Sequence, residues 1–163
     1  MTSIRCRGFT LIELVITMVM MGILSAVVVT DISARAQHSV TTQADQFRRN
    51  LSHLQMLAIS RGARLRLTVA AGGAGYSVAT CATSACTTRS ALVDPETGLN
   101  FSVTLTDGVT LSPAGNILDF DSLGRPQSGG SLITATRSYT LTGSGRSVSV
   151  TVLPVTGFAQ TSY

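Results

Sequence analysis

The chain has 163 residues, of which 44 % are apolar and only 12 % charged, with a mean hydropathy of +0.35. That balance excludes a disordered, solvating chain, which needs low hydrophobicity and high charge. All twelve basic residues are arginine; two of them, Arg5 and Arg7, lie in the first eight positions, and without that stretch ten arginines face eight acids. A net charge of +4 is therefore no argument for a nucleic-acid surface.

The apolar excess is concentrated from Phe9 to Thr30, 22 residues whose one ionisable side chain is Glu13. At about 1.5 Å per residue such a helix is about 33 Å long, enough for a bilayer core of about 30 Å. Arg5 and Arg7 precede it with no acid nearby, so the positive-inside rule keeps the N-terminus in the cytoplasm and exports the rest. The run is longer than the 7–15 apolar residues of a secretory signal, and Ser25-Ala26-Val27 is a poor cleavage site.

Beyond Thr30 the apolar positions Val40, Ala44, Phe47, Leu51, Leu54 and Ala58 recur at spacings of four and three, one stripe of a helix. Gln37, Gln43, Asp45, Arg48, Arg49, Asn50 and Gln55 occupy its other faces. The pattern predicts one helix from Phe9 to Arg61, stopped by Gly62. It is apolar all round in its first half (9–30), amphipathic in its second (31–61), and about 80 Å long in total.

From Gly62 to Tyr163 there are 13 glycines and 29 serines and threonines among short alternating runs. These predict strands at 64–69, 76–80, 100–105, 109–111, 117–120, 132–136, 139–142 and 147–153. A long loop is expected from Cys81 to Gly98, a hairpin turn at Asp107-Gly108, and another turn at Gly143-Ser144-Gly145. The result is an α+β protein with the amphipathic helix half packed on an antiparallel sheet in a β-rich head, 62–163.

Cys81 and Cys86 are five positions apart, an even pair in an exported segment, which suggests a small disulfide-closed loop. Two unpaired thiols, or half a metal site, are the alternatives; the second lacks the further ligands that four-coordination requires. His38 and His53, 15 positions apart on the helix, are separated by more than about 20 Å along its axis and so do not converge on a metal. The head holds no histidine, which excludes a Ser-His-Asp arrangement within it. Asp119 and Asp121 share a strand face and read as a solvated strand end. No enzyme and no cofactor is expected. Arg64 and Arg66 also share a strand face and are the best candidates for phosphate contacts, but five acids offset the head's six arginines, so nucleic acid is not the expected partner.

Arg7-Gly8-Phe9-Thr10-Leu11-Ile12-Glu13-Leu14 resembles the processing site of type IV prepilins and type II secretion pseudopilins. The resemblance implies a leader, 1–8, removed between Gly8 and Phe9 by a prepilin peptidase that then methylates the new amine. A polar group at bilayer depth costs about 2.5–3.5 kcal/mol on insertion scales, so Glu13 needs a partner. The amine of Phe9 on a neighbouring subunit would meet that need and set axial register. Ile117-Leu118-Asp119-Phe120-Asp121-Ser122-Leu123-Gly124-Arg125-Pro126, with Ser147 to Val150 and Thr156-Gly157, resembles minor pilins related to the H-type pseudopilin, and within them the mannose-sensitive-haemagglutinin type. A DNA-uptake branch of that group carries Gly-Arg-x-Arg near its end, where this chain has Gly157-Phe158-Ala159-Gln160 and no arginine. The resemblance implies a minor subunit of a type IV filament, or alternatively of a secretion pseudopilus. It would be held in the inner membrane with its head periplasmic, and its partners would be other pilin or pseudopilin subunits.

Overall fold

The computed structural model describes residues 10–83, 85–95 and 97–163, with backbone alone for 26–37. Contacts divide the chain into two units, Met1–Arg35 and Ala36–Tyr163. One helix, α1 (Leu11–Arg61), contributes to both. It is followed by β1 (Arg64–Val69), β2 (Gly75–Cys81), β3 (Arg89–Ala91), β4 (Ser102–Thr104), β5 (Thr110–Ser112), β6 (Ile117–Phe120), β7 (Pro126–Ser128), β8 (Ser131–Leu132), β9 (Arg137–Gly143), β10 (Arg146–Val152) and β11 (Ala159–Ser162).

Both ends of α1 are closed by local chemistry. The Glu13 N–H donates to the carbonyl and Oγ1 of Thr10, at 3.1 and 3.4 Å, so Thr10 caps the first turn. Gly62, left-handed at φ 59°, ends the helix: its N–H donates to the Ile59 carbonyl and that of Ala63 to Ala58. That is the paired bonding of a Schellman stop, which a glycine adopts without strain.

In the second unit the stripe from Val40 to Ala58 is fully buried, as its spacing predicts. It joins a single apolar cluster with Leu65, Leu67, Tyr76, Leu118 and Phe120 on one side and Leu111, Tyr139, Leu141, Val148 and Val150 on the other. Phe47 bridges them, its ring edge-on to Tyr76 at 4.9 Å and to Tyr139 at 5.4 Å.

Those two sides are two antiparallel sheets where the sequence suggested one. The larger has seven strands in the order β3-β2-β1-β6-β7-β8, with β4 also on β2; the smaller runs β11-β10-β9-β5. Asp107-Gly108 turns the chain, with φ of 55° and 70°, but makes no hairpin. It carries the chain from β4 in one sheet to β5 in the other, because turn chemistry is local and strand partners are not. The expected loop from Cys81 to Gly98 contains β3, paired with β2 through Ala79↔Ala91, and Val93, which bridges to Asn100 just beyond it. Strands β7 and β11 carry too few apolar residues to announce themselves: β7 reads Pro-Gln-Ser and β11 Ala-Gln-Thr-Ser.

Candidate functional site

Two regions carry the residues singled out by the sequence. In the first, Leu11, Ile12, Leu14, Val15, Ile16, Met18, Val19, Met20, Met21, Ile23 and Leu24 are all exposed. A helix apolar on so many faces is ordinarily surrounded by lipid or by other apolar surface. The hydroxyls of Thr17 and Ser25 donate back to the carbonyls of Leu14 and Met21 at 2.9 and 2.8 Å, so neither hydroxyl is left unmet in apolar surroundings. Glu13 stands exposed in the first turn, where the helix dipole favours an anion. Gly8 and Phe9 lie outside the described residues, as do Arg5, Arg7 and Cys6. Among the described residues no helix is long and apolar enough to cross a membrane; the expected span, 9–30, has described side chains only for 10–25.

The second region is a polar seam along β1, β6 and β7. Register sets Arg66 opposite Asp119 and Asp119 opposite Gln127. Arg66 Nε and Nη2 donate to the two oxygens of Asp119 at 2.6 and 2.7 Å, and both residues are buried. This fork-to-carboxylate geometry raises the arginine's pKa through the hydrogen bond to Asp119. The structure thereby corrects two sequence readings. Arg66 is not offered to phosphates, because its guanidinium is spent on an internal carboxylate; Arg64, two positions earlier, is half-buried. Asp119 and Asp121 are not a solvated strand end but buried, each with its own arginine.

Asp121 organises the turn after β6. Its Oδ1 accepts the N–H groups of Leu123 and Arg125, at 3.0 and 2.8 Å, and its Oδ2 accepts Arg125 Nε and Gln127 Nε2, at 2.8 and 3.1 Å. Burial pushes this carboxyl up, but the Arg125 and Leu123 hydrogen bonds and the Arg125 charge outweigh it and hold it below the usual range. The same turn is tied to α1, where Gln55 Nε2 donates to the carbonyls of Gly124 and Thr156 at 2.8 and 2.5 Å. A lone glutamine on a helix flank gives no sequence signal of such a role. Gly124, at φ 75°, admits the Ile59 side chain where a Cβ would stand 2.7 Å from it.

Cys81 and Cys86 are joined by a disulfide, with Cα atoms 4.7 Å apart. Cys81 ends β2 and Cys86 takes a left-handed φ of 54°, so the bridge closes the loop leading into β3. Among the described residues no three His, Cys, Asp or Glu side chains are grouped to hold a metal.

A long N-terminal helix with exposed apolar side chains in its first half, followed by an antiparallel β head, is the architecture of a pilin-like subunit. Residues 4–29 match the prokaryotic N-terminal methylation motif. Residues 43–156 match the family described as Type II transport protein GspH, and the chain belongs to that family. Among solved structures it is similar to the minor pseudopilin EpsH from the Type 2 Secretion System of Vibrio cholerae, at 15 % identity over 76 % of this chain and 95 % of that one, with a TM-score of 0.56. It is also similar to the type IV minor pilin FimU of Pseudomonas aeruginosa, at 12 % identity over 78 % and 90 %, with a TM-score of 0.53. At such identities the likeness is one of fold. A comparison with curated proteins returns no match. The family consists of structural pilin and pseudopilin subunits that are membrane-anchored and built into filaments with one another, and this chain is a minor pilin or pseudopilin.

Proposed function

We propose that this chain is a minor subunit of a type IV filament, made as a precursor with residues 1–8 as leader, 9–30 as membrane anchor and later filament core, and 31–61 as the helix half that carries the head, 62–163. The observation that supports this most directly is the coincidence in one chain of the methylation motif at 4–29 with the GspH head at 43–156. In this reading a prepilin peptidase cuts between Gly8 and Phe9. The N-terminus then faces the cytoplasm and the head the periplasm until assembly. Glu13 sits in the first turn of an otherwise apolar sleeve, where burial among neighbouring helices favours pairing it with a cationic group. The amine of Phe9 on an adjacent subunit supplies one and fixes the axial step. The disulfide braces the loop into β3. Nucleic acid has little to hold, since Arg66 is committed to Asp119.

The family's description, Type II transport protein, favours a second reading, a minor pseudopilin of a secretion machine. The roles of Gly8, Phe9, Glu13 and the disulfide are the same in both readings, which differ in where the assembled subunit is found. Glu13→Ala tests the shared part. The variant should be inserted and cleaved as the wild type is, while its incorporation into filaments falls several-fold in cells where it replaces the wild-type chain. Unchanged incorporation contradicts the assembly role of Glu13.

A further inference from the structure

The head holds α1 by different means along its length. From Phe47 onward the grip is mainly large and apolar, with Phe47 wedged between Tyr76 and Tyr139, then Leu51 and Leu54, all buried. Asn50 and Gln55 add hydrogen bonds to the Tyr76 hydroxyl and to the Gly124 and Thr156 carbonyls. Before Phe47 the only buried side chains among the described residues of α1 are Val40 and Ala44, which together remove far less apolar surface from water. Polar contacts take over there: the Tyr163 hydroxyl donates to the Asp45 carboxylate at 2.8 and 2.9 Å, and a second cluster is built on Ser39 and Gln43. Gln43 Nε2 donates to the Thr106 carbonyl at 3.3 Å while the Thr106 N–H donates to Gln43 Oε1 at 3.0 Å. The side-chain amide thus pairs with the chain as a peptide unit would in a β-ladder. Gln43 Nε2 also donates to Ser39 Oγ at 2.7 Å, and Ser39 Oγ donates to Asp107 Oδ2 at 2.7 Å, which accepts Thr106 Oγ1 as well. The receiving corner is stiff: the Val109 N–H closes it on the Thr106 carbonyl at 3.0 Å, and a Cβ on Gly143 beneath would stand 3.1 Å from Val109 and 3.2 Å from Val40.

We infer that Ser39 and Gln43 with Thr106 and Asp107, together with the outer Asp45–Tyr163 contact, form a separable clasp, one that lets the 39–46 segment of α1 part from the head while Phe47 acts as the stop. Regions with few buried apolar contacts and exposed hydrogen bonds open at lower free energy than the core, and here the large buried side chains begin at Phe47. Among the described residues Ser39 is the most N-terminal position of α1 bonded to the head. A pull transmitted along α1 therefore reaches the clasp before the aromatic lock, and the clasp yields without unfolding the sheets.

Two fully buried alanines on the same stripe, Ala44 and Ala58, report on the two regions. In the full-length chain purified in detergent, Cys6→Ser leaves no free thiol beside the disulfide, and Ala44→Cys or Ala58→Cys then introduces one buried reporter. Labelling by a small maleimide under native conditions should be faster at position 44 than at 58. Adding Gln43→Ala should accelerate it about tenfold at 44, as expected for losing hydrogen bonds of ordinary net strength, and leave 58 unchanged. Gln43→Glu, which keeps the acceptor for the Thr106 N–H and loses the donor, should fall between and serves if Gln43→Ala does not fold. Equal acceleration at both positions would mean that the head opens as one body, and no acceleration at 44 would mean that the polar cluster holds nothing; either result overturns the inference.

Discussion

Asp119 is the residue on which the head's interior electrostatics turn. It has no exposed surface and its two oxygens are both taken by Arg66. Removing it strands a guanidinium inside the sheet, so Asp119→Ala should cost about 3–5 kcal/mol, whereas replacing both partners with apolar residues of similar volume should cost much less. Denaturant unfolding of the two variants checks this, and equal losses would contradict it. Asp121 sets an acid limit. Its folded pKa lies below its usual value, so it adds stability that is fully present above the ordinary carboxylate pKa of about 3.9 and is lost as pH falls through the folded value. Stability should decline below about pH 4, and the decline should be shallower in Asp121→Asn; identical acid profiles would mean that Asp121 sets no such limit. Neither residue was legible as a core group. Strand alternation places Arg66 and Asp119 on the face away from the helix, and sequence equates that face with solvent. The partner lies 53 positions away, and only the register of β1 on β6 brings the two together.

At the scale of elements, α1 was legible because its spacing is its own evidence: apolar residues at fours and threes define one stripe whatever they pack on, and every one of them is buried. Gly62 as its stop follows from the same local logic. Turns were legible in shape, and Gly143-Ser144-Gly145 joins β9 to β10 as read, but Asp107-Gly108 was misread in connection. Asp107-Gly108 adopts the left-handed φ values its residues suggest, yet the strands it joins belong to different sheets. The short strands β3, β7 and β11 exist because neighbours offer an edge to pair with, a condition no short window of sequence contains. Gln43 and Gln55 look like solvent-facing helix residues and are instead among the points where the helix is bonded to the head, reaching three separate turns. The disulfide is a local brace. Closing so short a loop is worth about 2 kcal/mol on loop-entropy grounds. Cys81→Ser with Cys86→Ser should lower unfolding stability by about that much and leave the apolar cluster intact, and a reductant should do the same to the wild type. A loss of cooperative unfolding would show that the bridge reaches further than this loop.

For the whole molecule, the features that point to filament assembly were the most legible of all. They are a linear motif and a continuous apolar run, neither of which depends on long-range pairing. The head's two-sheet arrangement was not, although its α+β class was. Family membership rests on residues 43–156 and the methylation motif on residues 4–29. Between them they assign the chain to subunits that act by packing together. The central claim is that this subunit loses residues 1–8 and joins a filament through an N-terminus at Phe9. Peptide mass spectrometry on sheared surface filaments and on washed inner membrane from the same cells tests it most directly. A peptide beginning at methylated Phe9 in the sheared filaments is the predicted result, and the same peptide confined to the membrane fraction would assign the chain to a secretion pseudopilus. A leader still attached ahead of Phe9 in both fractions would contradict the claim.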